Sequence, residues 1–208
     1  MLPGPASMPS ERLRVVGLST PHAGPFDFVL APGDCLAVTG PSGAGKSLML
    51  RMIADLDPHE GEVLLDGRSF ALMSGPDWRS KVVYNAAESG WWLDKIGEHF
   101  REPPVRLAAQ LGLRPDIFEQ TVASCSTGER QRLALLRALE PRPLVLLLDE
   151  PTGALDPDGK AQVETFLQTQ LAAGLTLVLV THDPAQATRL GTLRGHLTAG
   201  RLVVSEQL

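Results

Sequence analysis

Eight consecutive residues, Gly40-Pro41-Ser42-Gly43-Ala44-Gly45-Lys46-Ser47, carry the chemistry most directly readable in this chain. They fit G-x-x-x-x-G-K-[ST], a pattern that binds phosphate. Glycine lets the backbone curl so that successive N–H groups point inward at an anion. A helix starting behind the loop adds its positive N-terminal end. In that arrangement Lys46 reaches the β- and γ-phosphates of a nucleotide and the Ser47 hydroxyl ligates Mg²⁺, with the binding stretch running from Gly40 through Leu48. At ordinary glycine usage a chance match in a chain this long is on the order of 1%.

A second site follows Leu144–Leu148, an apolar run that ends in Asp149-Glu150. A buried strand ending in two carboxylates delivers them to the carboxyl edge of a sheet, where ligands of open α/β folds bind. Asp149 suits a metal, directly or through water, and Glu150 suits polarising an attacking water. The third stretch is Cys125-Ser126-Thr127-Gly128-Glu129-Arg130-Gln131-Arg132, with Gly128 lying 21 residues before Asp149 (149 − 128 = 21). By residue type alone Ser126 is a helix N-cap. Thr181-His182-Asp183 follows another apolar run, Leu175–Val180.

These groups need a framework that brings them to one edge. Cys35–Thr39 reads as a strand and Ser47–Asp55 as the start of a helix, so the glycine loop has the right flanks. Leu13–Val16 and Phe26–Leu30 read as strands either side of a Pro/Gly loop, Ser19–Pro25. Asp66-Gly67 is hairpin chemistry between Glu62–Leu65 and Arg68–Ala71, and Lys81–Tyr84 is a further short strand. From Glu88 to Ser124 the strand pattern stops. Helical spacing in Ile96–Phe100 and Val105–Leu111, punctuated by Pro103-Pro104 and Pro115, marks an inserted helical region. Gly128–Leu139 is an amphipathic helix. Beyond it a strand at Leu144–Leu148, a helix at Pro157–Ala173, a strand at Leu175–Val180, a helix at Pro184–Thr188 and closing strands around His196–Ala199 and Leu202–Ser205 imply a parallel sheet covered by helices.

At 208 residues, 43% hydrophobic and 21% charged, the chain reads as one large soluble domain with an insert. No apolar run approaches the ~18 residues that span a bilayer. Residues 1–10 are Pro/Ser-rich and read as a disordered leader, with no signal-peptide pattern. Two distant cysteines, Cys35 and Cys125, suggest a reducing cytoplasm and no zinc site. A net charge of −5 argues against a nucleic-acid partner.

The order of glycine loop, helical insert, SxGExQR, apolar-DE-PT, Ala154-Leu155-Asp156 and Thr181-His182 resembles the nucleotide-binding subunit of an ABC transporter, from about Leu13 to Val204. That family's signature is usually L-S-G-G-[QE]; here Ser126, Gly128 and Glu129 are kept, while Cys125 and Thr127 replace leucine and glycine. The resemblance implies an α/β P-loop NTPase fold. It would have a mostly parallel central sheet, an N-terminal antiparallel β portion, and a helical subdomain at 88–127 inserted in one ABC ATPase domain, 11–208. It implies ATP and Mg²⁺ as cofactors, with Ser47 and Asp149 on the metal and Glu150 and His182 as catalytic residues. It further implies a head-to-tail dimer in which Ser126, Gly128 and Glu129 complete the ATP site of the second copy, along a seam followed by Ala154-Leu155-Asp156. An integral membrane permease subunit would be the other partner and would choose the cargo. The chain would then sit in the cytoplasm, peripheral on the inner face of the membrane.

Two departures stand out. The glutamine that normally follows the strand at Lys81–Tyr84 aligns with Ala87, and an extended strand end would send neighbouring Glu88 to the opposite face. The adenine-stacking aromatic has no clear counterpart, with His22 nearest its place. Trp91-Trp92 is either an interface anchor for a membrane subunit or packing for the base of the insert. Two further readings stay open: an ABC-type regulator of a membrane complex that moves no solute, and a small-molecule P-loop kinase active as a monomer. The absence of a long C-terminal extension is an expectation of a short stand-alone cassette.

Overall fold

The computed structural model describes residues 11–206, so the leader expected at 1–10 lies outside the described residues. Two sheets meet in the fold. The first is antiparallel, in the order β2-β1-β4-β5, built from β1 (Leu13–Thr20), β2 (Ala23–Leu30), β4 (Glu60–Leu65) and β5 (Arg68–Ser69). The second has six strands in the order β10-β9-β3-β8-β7-β6. Its members β9 (Leu193–Thr198), β3 (Cys35–Thr39), β8 (Thr176–Val180), β7 (Val145–Asp149) and β6 (Val82–Asn85) run parallel. The edge strand β10 (Arg201–Glu206) is antiparallel to β9.

Strands β3, β7 and β8 are almost continuously buried because both faces of the sheet are covered. On one face Val38, Val82, Val145, Leu147, Val178 and Val180 pack with the antiparallel sheet and with helix α1 (Lys46–Ile53). Met49, Leu50, Met52 and Ile53 of α1 are all buried there, each contributing about 1.5–3 kcal/mol of apolar burial. On the other face Leu146, Leu148, Leu177 and Leu179 pack with α4 (Thr127–Leu139), α5 (Pro157–Ala172) and the segment between β6 and α4. That segment holds α3 (Val105–Gln110) and short 3-10 turns at Ile96–His99, Pro115–Glu119 and Val122–Ser124. Its two ends are pinned together by an antiparallel bridge, Lys95 to Thr121, with Ile96 N donating to Gln120 O at 3.0 Å and Val122 N to Asp94 O at 2.8 Å. Helix α6 (Pro184–Leu190) precedes β9. No helix among the described residues is long and apolar enough to cross a membrane.

Three local expectations change. The strand expected at Arg68–Ala71 stops at Ser69 and passes into a 3-10 turn at Phe70–Leu72. The loop at Ser19–Pro25 shrinks to Pro21-His22, because β1 and β2 keep pairing through Leu18–Phe26 and Thr20–Ala23. Pro25 is tolerated because β2 is an edge strand, where the missing N–H is not needed by a neighbour. A helix also precedes β6: α2 (Gly75–Lys81), capped by the Ser74 hydroxyl accepting from Asp77 N, with proline in its first turn. It buries Trp78, whose Nε1 donates to Ile53 O at 3.0 Å and ties α2 to the end of α1.

Candidate functional site

Beyond β3 the chain enters the glycine loop. Gly40 has φ 148, and a Cβ there would stand 2.0 Å from the Leu197 carbonyl oxygen on β9. Only glycine permits that approach. Gly45, at φ 101, is the N-cap of α1 and offers no side-chain cap. The first N–H groups of α1 therefore point out of the helix toward the loop, as an anion site requires. Lys46 Nζ folds back to donate to the Gly40 and Pro41 carbonyls at 2.8 and 2.9 Å. The ammonium is thus held against the loop.

Strand alternation places the first carboxylate. Val145 and Leu147 face α1 while Leu146 and Leu148 face α4 and α5, so Asp149 falls on the α1 side with Lys46 and Ser47. Asp149 is buried. Its Oδ2 accepts a hydrogen bond from Tyr84 Oη at 3.0 Å, and burial, reinforced by the Asp149 charge, pushes the Tyr84 phenol up so that it remains a donor. The buried Asp149 carboxylate and the exposed Ser47 hydroxyl are hard oxygen donors, the chemistry that suits Mg²⁺.

Glu150 follows in a left-handed conformation, φ 49, uncommon for a residue with a side chain. Its backbone is held from three sides. Its N–H donates to Val180 O at 3.0 Å; its carbonyl accepts from Gly153 N at 3.2 Å and from Gln131 Nε2 at 2.8 Å. The carboxylate Oε2 lies 2.7 Å from His182 Nδ1 and accepts from His182 N at 3.3 Å. His182 is 72% exposed at its side chain against 23% for Glu150. A proton on Nδ1 bound to Glu150 leaves Nε2 facing outward.

Ser126 caps α4. Its N–H and hydroxyl both donate to Glu129 Oε2, at 2.8 and 2.9 Å, and Glu129 N donates back to Ser126 Oγ at 3.2 Å. This is a capping box, and the Ser126 backbone N–H is the main reason the Glu129 carboxyl sits below its ordinary range. A Cβ on Gly128 would meet Leu155 Cδ2 at 3.0 Å, so the segment Ala154-Leu155-Asp156 packs against the start of α4. Gln131 locks the two together, accepting from Ala154 N at 3.2 Å while donating to Glu150 O. Sequence reading assigned Gln131 no role. Its i+3 spacing from Gly128, which puts both on one helix face, is the signal that points to it.

The strand-end argument about Glu88 fails. β6 stops at Asn85 and the chain bends at Ala87-Glu88, so both residues line one cavity of about 320 Å³ with Thr127, Arg130, Gln131 and Ala154. The two tryptophans differ in burial, and the packing role fits Trp91. Trp91 is half-buried against the insert's core, while Trp92 is 69% exposed. Both lie edge-on to His99, and the Arg137 guanidinium stands 4.4 and 4.9 Å from their ring centres. His22 is exposed on the β1–β2 turn. A Cβ on Gly45 would stand 3.4 Å from its neighbour Ala23, which puts that turn beside the glycine loop.

Residues 24–153 match the family profile described as ABC transporter. The spermidine/putrescine import ATP-binding protein PotA of Frankia alni is 32% identical over 89% of this chain and 43% of the relative. The aliphatic sulfonates import ATP-binding protein SsuB of Cupriavidus necator is 35% identical over 86% and 62%. The Fe(3+) ions import ATP-binding protein FbpC of Streptomyces avermitilis is 36% identical over 86% and 56%. The chain therefore spans about half the length of the curated relatives it matches. Among solved structures, a bacterial Atm1-family ABC exporter with ATP bound superposes with a TM-score of 0.81 at 23% identity, over 96% of this chain and 39% of that one. A dimeric ATP-binding cassette in a post-hydrolysis state bound to ADP and Pi superposes at 0.79 and 24% identity, over 93% and 98%. The fold is that of the P-loop NTPase cassette, and the chain belongs to the ABC transporter family.

Proposed function

We propose that this chain binds and hydrolyses ATP as the nucleotide-binding subunit of an ABC transporter, working as a head-to-tail dimer that drives a separate integral membrane permease subunit. Residues 11–208 act as one ATPase unit, with 88–127 as its helical insert, at the cytoplasmic face of the membrane. The observation that carries this reading is the convergence at the carboxyl edge of one sheet: the glycine loop and Asp149 on one face, and Glu150 held against His182 at 2.7 Å. The kinase reading gives way to the family assignment.

The loop 40–47 and the N-terminus of α1 bind the phosphates, with Lys46 turning from the Gly40 and Pro41 carbonyls onto them. His22, beside the loop, is the candidate for the adenine. Ser47 and Asp149 would hold Mg²⁺, which would supply charge stabilisation for the transferring phosphoryl group. His182 Nδ1 and N–H hold Glu150 Oε2, which keeps the carboxylate aimed and leaves its other oxygen to accept a proton from the attacking water. Ser126, the Gly128 N–H and Glu129 present a capped helix N-terminus to the γ-phosphate bound by the second copy. A chain with a net charge of −5 needs no nucleic acid for any of this.

The test is ATP binding and hydrolysis by the purified chain and by Lys46→Ala. The wild type should bind ATP and turn it over, and the variant should lose most of its nucleotide affinity. Equal binding by both would remove the glycine loop from the reading.

A further inference from the structure

Tyr84 sits on β6 in parallel register with Leu147 of β7, while Asn85 pairs with Leu148. Asp149 thus lies one step past the last residue that β6 pairs. Alternation puts Val82 and Tyr84 on the α1 side of the sheet, with Val83 on the other. Tyr84 and Asp149 therefore share a face, and a phenol is long enough to climb from the level of Leu147 to the carboxylate. Its Oη donates to Asp149 Oδ2 at 3.0 Å. No other hydrogen bond among the described residues engages the Asp149 carboxylate, so Oδ1 remains available as an oxygen donor on the side of α1. The Ala87 side chain brings no polar atom to the end of the same strand.

We propose that Tyr84 is a positioning residue for the metal. Its hydroxyl fixes the rotation of the Asp149 carboxylate, so that one oxygen is held by the protein and the other is presented to the divalent cation. A ligating carboxylate needs such a partner to be oriented before the ion arrives. In this chain the partner is a phenol from the neighbouring strand. The inference rests on the reading of Asp149 as a metal ligand.

The test uses Mn²⁺ as the probe, followed by its paramagnetic resonance signal, with the full chain and a non-hydrolysable ATP analogue. Tyr84→Phe keeps the ring and its packing and deletes only the donor. It should weaken Mn²⁺ binding to the protein–nucleotide complex about 10-fold or more, leave metal-free nucleotide binding unchanged, and keep the wild-type thermal melt. Asp149→Asn should lose Mn²⁺ binding more severely. Wild-type Mn²⁺ affinity in Tyr84→Phe, with Asp149→Asn impaired, would overturn the role of Tyr84 and leave the metal site standing. Wild-type Mn²⁺ affinity in both variants would overturn the metal site and this inference together. A folding defect in Tyr84→Phe, seen as lost metal-free nucleotide binding, would show that the hydroxyl serves the fold and would also overturn it.

Discussion

His182 Nδ1 lies 2.7 Å from Glu150 Oε2, and the backbone N–H of His182 donates to the same oxygen at 3.3 Å. One residue of the loop after β8 thus grips the carboxylate at the end of β7 twice. The grip is possible because β7 and β8 are adjacent parallel strands, in register with Asp149 opposite Val180. Glu150 and His182 then leave the sheet at the same edge. The unusual φ of Glu150 turns its side chain toward that neighbour.

Glu150→Gln should retain ATP binding while slowing hydrolysis by about 10²–10⁴-fold, and it should accumulate an ATP-bound dimer visible by size-exclusion chromatography. His182→Ala leaves Glu150 charged but loosely aimed, at a cost of about 10-fold or more in rate, the scale of one hydrogen bond to a charged group. Near-normal turnover in Glu150→Gln would remove it as the base.

Composite sites predict complementation. Lys46→Ala and Ser126→Ala should each be nearly inactive alone, and mixing them should restore activity through mixed dimers with one intact site. The wild-type rate should also rise faster than linearly with protein concentration at low concentration. No recovery at any mixing ratio, with strictly linear concentration dependence, would point to a site complete within one chain.

Ala87 and Glu88 share a cavity of about 320 Å³, so a longer side chain at 87 has room. Ala87→Gln should change stability by no more than about 0.5 kcal/mol. Because Glu88 lines that cavity with Thr127, Arg130 and Gln131 and not with Ser47 or Asp149, Glu88→Ala should leave the Mg²⁺ concentration needed for half-maximal hydrolysis unchanged, and a raised requirement would overturn that placement. An unchanged Mg²⁺ titration in Glu88→Ala, with faster turnover in Ala87→Gln, would show that nothing replaces the glutamine.

Acid should loosen the start of α4. The Ser126 N–H holds the Glu129 carboxyl below its ordinary value of 4.5. A depressed folded-state pKa contributes stability that is fully present above the unfolded value and lost as pH falls through the folded one. The same holds for Asp183, lowered first by the Gln186 N–H, and for Asp57, lowered by its hydrogen bond from Arg51. Denaturant melts should therefore show stability falling below about pH 4.5, and Glu129→Gln should flatten part of that slope. Ser126→Ala should cost about 1 kcal/mol at neutral pH through loss of the cap. An identical acid slope in Glu129→Gln would show that the capping box does not contribute.

The sequence by itself determined the elements and the chemistry carried on them. The glycine loop, the apolar run before Asp149-Glu150, the Ser126–Glu129 capping box and the βαβ alternation are local patterns of residue type and spacing. Local sterics and burial force such patterns into loops, strands and capped helices wherever they occur. The sequence reading places no helix before β6, although the capping signals of α2, Ser74 and Pro76, are local, and its burial of Trp78 is decided by packing. Tertiary structure decided which side chains meet. The register of β6 against β7 brings Tyr84 to Asp149, and that of β7 against β8 brings Glu150 to His182. The packing of α4 against the chain after β7 lets Gln131 bridge Glu150 and Ala154. The bend beyond Asn85, which puts Ala87 and Glu88 on one cavity, overrode the alternation a continuing strand would impose. Each of these pairs is separated by 19 or more residues or depends on where a strand stops pairing. Such contacts follow from the order of strands across the sheet, to which nearest-neighbour residue patterns are blind.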